Sequence, residues 1–438
     1  MNSIENIVRE FLRTYHAENK QLLLGLSGGP DSLLLFHLFD SMQIPFAVAH
    51  IDHGWRQGSG REAKILREMV EEKGYRFHFL RLSSSEGNSE DEARQERRAF
   101  FTELCRVWGY QAVVLGHHAD DQAETVLKRI LEGANLTAMG ALVPAVNHGK
   151  LAIWRPLLHV RKRDILSWLK EHEYVPFDDH TNRDPKFLRS RMRMTVIPNL
   201  EQQFGKQVAG SLVRVGEEAQ ELANYLDRRI SDVLQYLRQG PIGAYIDTSE
   251  AGVLDPYEVR YLIRKVASLE KITLSRAALA TATEHLVKGA ANKESVSGSR
   301  RVYVDRGVIF ALAMPIPSCE PISFSSPGVY RTGAWELEVK EGDEYRKTDW
   351  RDLWMGNGTV TVPADAYCVA LPVMNEEFAG KASISKWWSD HKVPCFLRKK
   401  VPVLWGEQGI VAEWMTGKNR QREKKDDWIV NIKLLKYK

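Results

Sequence analysis

The first 130 residues alternate short apolar runs with segments whose apolar residues recur at helical spacing. The apolar runs that predict strands are 21–26, 46–51, 76–82 and 112–116, and the helical patterns are 32–41, 61–73, 90–108 and 120–131. Strands that alternate with helices predict βαβ units and therefore a doubly wound parallel sheet. Ligands of such sheets bind beyond the carboxyl ends of the strands. The residues that directly follow each strand are therefore the first candidates for a functional site.

The pattern changes after residue 150, which predicts further domains. Residues 208–237 show the long helical periodicity of a connecting helix, residues 301–312 are rich in strand-forming side chains, and residues 314–327 are rich in proline. We predict an α/β chain whose parts are an N-terminal doubly wound parallel-sheet domain at 1–206, a connecting helix at 207–240, a helical or α+β middle domain at 241–313, a linker at 314–327 and a small α+β C-terminal domain at 328–438.

Composition argues against several classes of protein. The longest apolar runs, such as 33–36, are far shorter than the roughly 20 residues that a membrane helix needs. Residues 1–10 lack the apolar core of a signal peptide, so we expect a cytoplasmic protein with no membrane partner. No cysteine pair has CxxC spacing, which argues against a zinc site, an iron–sulfur cluster or a disulfide framework. The four cysteines are Cys105, Cys319, Cys368 and Cys395.

The strongest local signal is GLSGGPDS at 25–32, between the first predicted strand and helix. Consecutive glycines let the backbone approach a phosphate and point N–H groups at it, and the following helix offers its positive end to the same anion. Ser27 and Ser32 add hydroxyl donors, and Asp31 either caps the helix or holds a magnesium ion that bridges phosphates. The segment is neither a Walker A loop nor a GxGxxG fingerprint. A plain glycine turn with a capping aspartate is disfavoured because six residues match between strand and helix.

Two further segments have open interpretations. HIDHGWR at 50–56 contains two histidines three apart, which make a poor metal site without more ligands; packing, capping or a backbone contact to adenine are the alternatives. On the predicted helix 90–108, Arg94 either holds phosphate together with Arg97 or pairs with Glu90 in a solvated pair worth roughly a few tenths of a kcal/mol.

An acidic cluster follows the fourth predicted strand, in GHHADDQAET at 116–125. Asp120 and Glu124 are four residues apart and Asp121 and Glu124 are three apart, so on a helix each pair shares a side. Like charges at this spacing repel unless a cation lies between them. The acids are either favoured by the helix dipole in a first turn, or they hold Mg²⁺ or the ammonium of an amino acid beside the phosphate loop.

Basic residues cluster at 183–193, 398–400 and 418–425 in a chain of net charge +4. Arg189 and Arg193 are four apart and are predicted to share one helical face. An exposed charged helix, a surface for RNA phosphate, or a lid over a nucleotide are the alternatives for the first cluster. The clusters favour a polyanionic partner, although a solvated charged face explains any single one.

Together these motifs resemble the tRNA(Ile)-lysidine synthetase family, and the loop at 27–32 resembles the PP-loop of the N-type ATP pyrophosphatases. The matching segments are SGGPDS at 27–32, AHIDHGWR at 49–56, EARQERRAF at 92–100, GHHADDQAET at 116–125, LTAMGA at 136–141, RPLL at 155–158, DDHTNRDPKFLRSRMR at 178–193 and ISKWWSDHKVPCFLRKKVPVLWGEQGIVAEW at 384–414. The resemblance spans nearly the whole chain. The passage at 178–193 and the C-terminal segment are the discriminating parts. Ser190 and Arg98 depart from the family, which usually has Asn and Tyr there, and no role is assigned to them.

The resemblance implies an enzyme that adenylates O2 of the wobble cytidine in a tRNA(Ile) with a CAU anticodon, using ATP and Mg²⁺. The ε-amine of free L-lysine then attacks C2 and expels AMP. The residues implicated are Asp31, Asp120, Asp121 and Glu124 in catalysis; Ser27, Gly28, Gly29, Pro30, Asp31 and Ser32 in ATP binding; Asp31 and Asp121 at the metal; and Arg94, Arg189, Arg191, Arg193, Arg398, Lys399 and Lys400 in RNA or substrate contacts.

The resemblance also implies roles for the parts of the chain. Residues 1–206 are expected to form the catalytic domain, 241–313 to contact tRNA and 328–438 to bind it. Trp387 and Trp388 either take part in tRNA binding with the basic residues at 398–400 or are core residues, and a core role is favoured for most of the tryptophans. The sequence leaves open whether the chain forms a homodimer.

Three rival hypotheses deserve comparison. A PP-loop tRNA thiolase would need a sulfur carrier, and Cys105 and Cys319 lie far apart in sequence. A small-molecule ATP pyrophosphatase would not need the basic C-terminal segment. A non-catalytic RNA-binding protein with a relict loop would have no reason to keep SGGPDS and DDQAET intact.

Overall fold

The computed structural model describes residues 3–52, 54, 59–82, 90–140, 142–149, 151–177, 188–250, 252, 254–298, 300–313, 315–342, 348–378, 382–419 and 427–435. The chain divides into two compact units, Met1–Asn224 and Tyr225–Lys438. Within the described ranges, no helix combines the length and apolarity needed to cross a membrane.

The first unit is built on one sheet. Its strands are β1 (Leu22–Gly25), β2 (Phe46–Asp52), β3 (Phe77–Arg81), β4 (Val113–Val114), β5 (Ala145–His148) and β6 (Leu151–Trp154). The strand order is β3-β2-β1-β4-β6-β5, and the neighbours are parallel except β5 and β6. The chain moves outward from β1 in one direction through β3 and then returns to β4 on the other side. The order therefore reverses between β1 and β4, which is where doubly wound sheets bind ligands.

The helices of this unit bury apolar residues in clusters that they share with the sheet or with one another. They are α1 (Ile4–Tyr15), α2 (Pro30–Ser41), α3 (Ser59–Glu72), α4 (Glu90–Trp108), α5 (Ala119–Leu131), α6 (Lys162–Glu171), α7 (Leu188–Arg191), α8 (Ile197–Phe204) and α9 (Val208–Arg229), with a 3₁₀ turn at Leu136–Ala138 and a π-helical turn at Met192–Val196. Helix α2 is buried continuously from Ser32 to Phe39. Its Phe36 and Phe39 share a core with Leu22 and Leu24 of β1, which anchors the loop between the two elements.

The predicted alternation of strands and helices is confirmed through α5, with shifts of a few residues at the ends. The predicted strand at 112–116 is reduced to β4. Arg189 lies in α7 and Arg193 in the π-helical turn that follows it, and their placement on one helical face stays a prediction. Arg189 is exposed, whereas Arg193 is half-buried.

The described residues of the second unit form three antiparallel or mixed sheets. Its helices are α10 (Ser231–Leu234), α11 (Pro256–Leu269), α12 (Arg276–Val287), α13 (Trp350–Trp354), α14 (Ile384–Asp390) and α15 (Cys395–Arg398). Its strands are β7 (Leu237–Gly240), β8 (Gly243–Asp247), β9 (Lys293–Ser297), β10 (Arg300–Asp305), β11 (Val308–Leu312), β12 (Ile322–Phe324), β13 (Gly328–Thr332), β14 (Trp335–Glu341), β15 (Gly358–Pro363), β16 (Tyr367–Ala370), β17 (Glu377–Phe378), β18 (Ala382–Ser383), β19 (Val403–Gly406), β20 (Gly409–Glu413), β21 (Lys418–Asn419) and β22 (Asp427–Leu434). The sheet orders are β7-β8-β11-β10-β9, β12-β16-β19-β20-β17-β18 with β21 on β20, and β13-β14-β22-β15.

Two predicted connections differ from the structure. The helix predicted over 208–237 ends at Arg229, because the chain turns into α10 and then into β7, which pairs with β8. The proline-rich segment 314–327 is not a bare linker, since Ile316 and Cys319 are buried and β12 pairs with β16. Ile316 shares its apolar cluster with Phe310 and Val403. The domain boundaries inferred from the sequence stay a prediction.

Candidate active site

The loops after β1 and β4 meet at the point where the sheet order reverses. A Cβ atom added to Gly116, which follows β4, would lie 2.9 Å from Cβ of Asp31. That separation is too short for a side chain, so glycine lets the two loops touch at this position. The predicted phosphate loop and the predicted acidic cluster are therefore neighbours.

Hydrogen bonds from two serines hold the phosphate loop in shape. The Ser32 hydroxyl donates to the Gly29 carbonyl at 3.1 Å and accepts from the Ser27 amide at 3.1 Å. The Ser27 hydroxyl lies 3.1 Å from that of Ser32. The Ser32 hydroxyl is buried, and its hydrogen bonds preform the loop. The sequence predicted that this hydroxyl donates to a phosphate, and that role stays a prediction.

The glycines leave one side of the loop open. Gly28 has φ of +82°, and an added Cβ would lie 2.5 Å from the ring of Phe177, so a larger residue is excluded there. At Gly29 an added Cβ would meet only the Ser27 hydroxyl, at 3.5 Å. Gly29 is also the N-cap of α2, which has Pro30 in its first turn and no side-chain cap. An uncapped helix start beside an open glycine fits a phosphate group.

Asp120 is bound by two consecutive residues at the start of α6. The Arg161 guanidinium donates to Asp120 from Nη2 at 2.9 Å and from Nε at 3.2 Å. The backbone amide of Lys162 donates to its Oδ2 at 2.8 Å. Burial opposes ionisation of this carboxyl, but the Lys162 amide and the Arg161 charge outweigh it and lower the pKa of Asp120.

Asp121 and Glu124 share one cation, Arg193. Its Nε donates to Glu124 at 2.7 Å, and its Nη2 donates to Asp121 at 3.1 Å. The Glu124 side chain is 3% exposed, whereas that of Arg193 is 38% exposed. Burial raises the pKa of Glu124, and Arg193 offsets part of the rise. The shifts of Glu124 and Asp120 are therefore opposite in direction, and Glu124 is the better suited of these two to take a proton.

His118 lies at the centre of the three carboxylates. Its Nε2 is 3.7 Å from Asp31 and 3.5 Å from Asp121, and its Nδ1 is 3.7 Å from Asp120. The side chain is 2% exposed. These distances place Asp31 of the phosphate loop and both aspartates of α5 around a single buried ring.

A lysine completes the cluster. Lys162 Nζ donates to Asp31 Oδ1 at 2.6 Å, although the two residues are 131 positions apart. The sequence left open whether these acids are favoured by the helix dipole or hold Mg²⁺ or an ammonium; in the structure their partners include Arg161, Lys162 and Arg193 of the chain itself. Sequence reasoning missed Arg161 and Lys162, which stand just beyond the RPLL segment at 155–158 that had been matched to the family.

The described residues contain no cluster of three or more side chains suited to a metal ion. Asp31 and Asp121 nevertheless approach the same ring of His118 from two loops. Mg²⁺ in nucleotide sites usually takes one or two carboxylates together with phosphate oxygens and waters. Two carboxylates beside an open phosphate loop fit that donor set.

Several arginine side chains act on two histidines beside the acidic cluster. The pKa of His117 is lowered to about 4, mainly by burial and also by Arg155 and Arg189, although Asp121 opposes the shift. Burial also lowers the pKa of His148, with Arg98 and Arg155 adding to the effect. Both imidazoles are therefore neutral at pH 7 within a field of guanidinium groups, a setting that suits an anionic partner.

The predicted RNA-contacting residues differ in their surroundings. Arg94, Arg189 and Arg191 are exposed in the first unit, as are Lys399 and Lys400 in the second. Arg398 instead donates to the Val393 carbonyl at 2.6 Å from Nη2 and to the Ser389 hydroxyl at 2.6 Å from Nη1, so it braces its own loop.

The remaining predictions concern a buried histidine, two tryptophans and several positions outside the described ranges. His50 is buried and its Nδ1 lies 2.8 Å from the Leu26 carbonyl, which is the packing role considered for it. Trp388 is fully buried and Trp387 half-buried, as expected of core residues. His53, residues 55–56 and the passage 178–187 lie outside the described residues.

A parallel sheet with an open glycine loop at its switch point defines a protein of the PP-loop class, and a family model described as a PP-loop domain matches residues 2–200. The tRNA(Ile)-lysidine synthase of Protochlamydia amoebophila is 36% identical over 99% of this chain and 97% of that protein. The enzyme of the same name from Chlamydia trachomatis is 33% identical over 67% of this chain and 92% of that protein. The chain belongs to the tRNA(Ile)-lysidine synthase family. Among solved structures, the U34-tRNA thiolase NcsA of Methanococcus maripaludis is 22% identical and covers 50% of this chain and 78% of that one, with a TM-score of 0.41.

Proposed function

We propose that this chain ligates L-lysine to C2 of the wobble cytidine of tRNA(Ile) with a CAU anticodon, through an adenylated cytidine, and releases AMP and pyrophosphate. The observation that carries the proposal is the meeting of the phosphate loop with the acidic cluster, where Asp31 and Asp121 lie 3.7 and 3.5 Å from the same nitrogen of His118. The two loops at the switch point of the sheet thus offer groups for a nucleotide and groups for an amine.

The first half-reaction uses the phosphate loop. O2 of the cytidine attacks the α-phosphorus of ATP, the bond to the bridging oxygen breaks, and pyrophosphate leaves with the electron pair. The open backbone at Gly29 and the start of α2 bind the polyphosphate, while Ser27 and Ser32 keep the loop in shape. Asp31 and Asp121 would hold Mg²⁺, which spreads the charge that develops on the phosphates.

The second half-reaction uses the carboxylates of α5. The ε-amine of lysine is protonated at pH 7 and must lose a proton before it attacks C2. Asp121 and Glu124 already bind a cation, Arg193, whose side chain is 38% exposed and can move aside. The raised pKa of Glu124 suits it to take the amine proton. The C2–N bond then forms and AMP leaves with the former O2.

The tRNA contacts are proposed from charge and exposure. Exposed Arg94, Arg189 and Arg191 would contact phosphates near the target base, which must leave its stack to react. In the second unit Lys399 and Lys400 would bind the tRNA backbone on a loop that Arg398 braces. We place residues 1–206 as the catalytic part, 241–313 and 328–438 as tRNA-binding parts, and the enzyme in the cytoplasm.

The two cysteines considered for the rival sulfur-transfer activity do not favour it. Burial raises the pKa of Cys105 to about 11 and also raises the pKa of Cys319. Thiols with raised pKa values stay protonated at neutral pH and are poor nucleophiles.

The test is ATP-dependent incorporation of labelled lysine into a tRNA(Ile) transcript with a CAU anticodon. We expect incorporation with equimolar release of AMP and pyrophosphate, and loss of both with Asp31→Ala. A transcript with uridine at the wobble position is the matched substrate control and should remain unlabelled. Incorporation of sulfur instead of lysine, or ATP cleavage that proceeds without RNA, would overturn the proposal.

A further inference from the structure

Lys162 joins the two loops of the candidate site through its side chain and its backbone. Its Nζ lies 2.6 Å from Asp31, and its amide lies 2.8 Å from Asp120. The side chains of Lys162 and Asp31 are 29% and 25% exposed, so the pair faces the open part of the site. Neither the sequence motifs nor the predicted roles involve this lysine.

The fold does not need this ion pair to stabilise Asp31. The carboxylate stands in the first turn of α2, where the helix dipole already favours a negative charge. A partly exposed ion pair adds little further stability. The ion pair between Lys162 and Asp31 is therefore better explained by a role in phosphate binding than by a role in stability.

Asp120 fixes the backbone from which Lys162 projects. The N-cap of α6 is Arg161, which gives that helix no side-chain cap. Asp120 of α5 supplies the acceptor instead, for the first amide of α6 and for the Arg161 guanidinium. With these bonds and a lowered pKa, Asp120 is poorly suited to accept a proton from an amine.

We propose that Lys162 is a phosphate-binding residue of the adenylation step and that Asp120 is a positioning residue that acts through it. The inference rests on the proposed function and assigns these two residues within it. In the free chain the Lys162 ammonium neutralises Asp31. A polyphosphate carries several negative charges, so the ammonium turns to it and leaves Asp31 for the magnesium ion.

The chemistry requires no proton from Lys162. As the bond from O2 of cytidine to the α-phosphorus forms, negative charge moves onto the phosphate oxygens and the departing pyrophosphate. The Lys162 ammonium donates a hydrogen bond to one of these oxygens and keeps its proton throughout. Asp120 touches no reacting atom.

Equilibrium binding of α,β-methylene ATP tests the first half of the proposal without turnover. We compare Lys162→Met with Lys162→Arg and with Lys170→Met, a matched control on the exposed side of the same helix. Removing a charge-assisted hydrogen bond should weaken analogue binding by about tenfold or more. The magnesium concentration for half-maximal binding should also fall several-fold, because Asp31 loses its competitor. Lys162→Arg should retain much of the affinity, and Lys170→Met should match the unaltered chain.

Unchanged analogue affinity together with an unchanged magnesium midpoint in Lys162→Met would overturn the role of Lys162. This arm needs neither lysine nor tRNA. It therefore decides the question even if the unaltered chain fails to incorporate lysine, an outcome that would remove the proposed function alone.

Steady-state kinetics with a double-mutant cycle test the second half. Asp120→Ala should lower kcat and leave KM for lysine within about twofold, and Asp120→Ala with Lys162→Met should be no worse than Lys162→Met alone. Asp120→Asn keeps an acceptor for the Lys162 amide and should be milder, which guards against a folding defect in the alanine variant. A raised KM for lysine with additive losses would instead make Asp120 a lysine-binding residue and overturn its positioning role.

Discussion

Glu124 in the first unit and Glu413 in the second are both buried glutamates, with side-chain exposures of 3% and 0%. Burial raises the pKa of both. They differ in what holds them. Glu124 faces a cation, Arg193, that is itself partly exposed. Glu413 accepts bonds from neutral donors, namely the Trp388 indole at 2.9 Å, the Met415 amide at 2.8 Å, and Thr416.

This difference distinguishes a candidate functional glutamate, Glu124, from a structural one, Glu413. A partly exposed guanidinium can be displaced by another cation, so a substrate amine can take its place on Glu124. Backbone amides and a buried indole cannot leave Glu413 unless the surrounding turn unfolds. Burial and pKa direction alone would not distinguish the two residues; the charge and exposure of their partners do.

The largest expected effect comes from Glu124→Gln, which keeps the shape of the side chain and removes its charge. Lysine incorporation should fall by about 10²–10³-fold, because the amine loses the group proposed to take its proton. The thermal midpoint should change little, since Arg193 retains Asp121. Single-turnover labelling beside a melting curve measures both. Near-normal incorporation would place Glu124 with Glu413 among the structural residues.

Glu413→Ala should show the opposite pattern. It leaves the Trp388 indole and the amides of Met415 and Thr416 without an acceptor in a buried region, at a cost of about 3 kcal/mol or more in the free energy of unfolding. Glu413→Gln retains one carbonyl acceptor and should cost less, about 1–2 kcal/mol. Denaturant unfolding gives both values. If either variant kept its stability but lost activity at low temperature, the contrast with Glu124 would fail.

His37 extends the comparison to a buried imidazole that stacks on an aromatic ring. Its ring stacks on Tyr174 at 3.4 Å, its Nδ1 has no hydrogen-bond partner among the described residues, and burial lowers its pKa to about 4. The unfolded chain, with an ordinary histidine pKa of about 6.5, binds the proton between about pH 6.5 and 4 while the folded chain does not. Stability therefore falls as the pH is lowered through that window, by on the order of 3 kcal/mol at most.

His37→Phe keeps the stacking on Tyr174 and removes the titration. The free energy of unfolding should then lose this part of its dependence on pH between about 6.5 and 4, with little change at pH 7.5. Urea unfolding at a series of pH values measures it. An identical slope in both chains would show that other groups cause the acid sensitivity.

Local patterns predicted the first unit well, and long-range pairing explains what they missed. Strand β1, which leads into the SGGPDS loop, is recognisable from its own apolar run because it is buried on both faces. The partners of the acids were not recognisable, since Arg161 is 41 positions from Asp120 and Lys162 is 131 positions from Asp31. The resemblance placed Arg193 among the RNA or substrate contacts, and the sequence did not reveal that it donates to Glu124, 69 positions away.

The second unit was less predictable because composition misled. Proline and serine in 314–327 are typical of linkers, yet that segment carries Ile316 and Phe324 into a shared core. The three consecutive basic residues at 398–400 were likewise predicted to form one RNA-binding group. The structure separates Arg398, which braces its loop, from Lys399 and Lys400, which are exposed.

The smallest expected effect follows from that separation. Replacing Lys399 and Lys400 together by Ala should weaken tRNA binding by less than about tenfold and should flatten the dependence of log affinity on log salt by about 2, one for each phosphate that a lysine no longer neutralises. The melting temperature should not move, because both side chains are exposed. Arg398→Ala is the matched contrast: it frees the Val393 carbonyl and the Ser389 hydroxyl, so it should lower the melting temperature of the second unit. The assignment of the two roles would be contradicted by an unchanged salt slope in the double-lysine variant. It would also be contradicted if Arg398→Ala changed only the salt slope and left the melting temperature unaltered. Loss of a phosphate contact changes the salt dependence of binding, whereas loss of an internal hydrogen bond lowers the melting temperature.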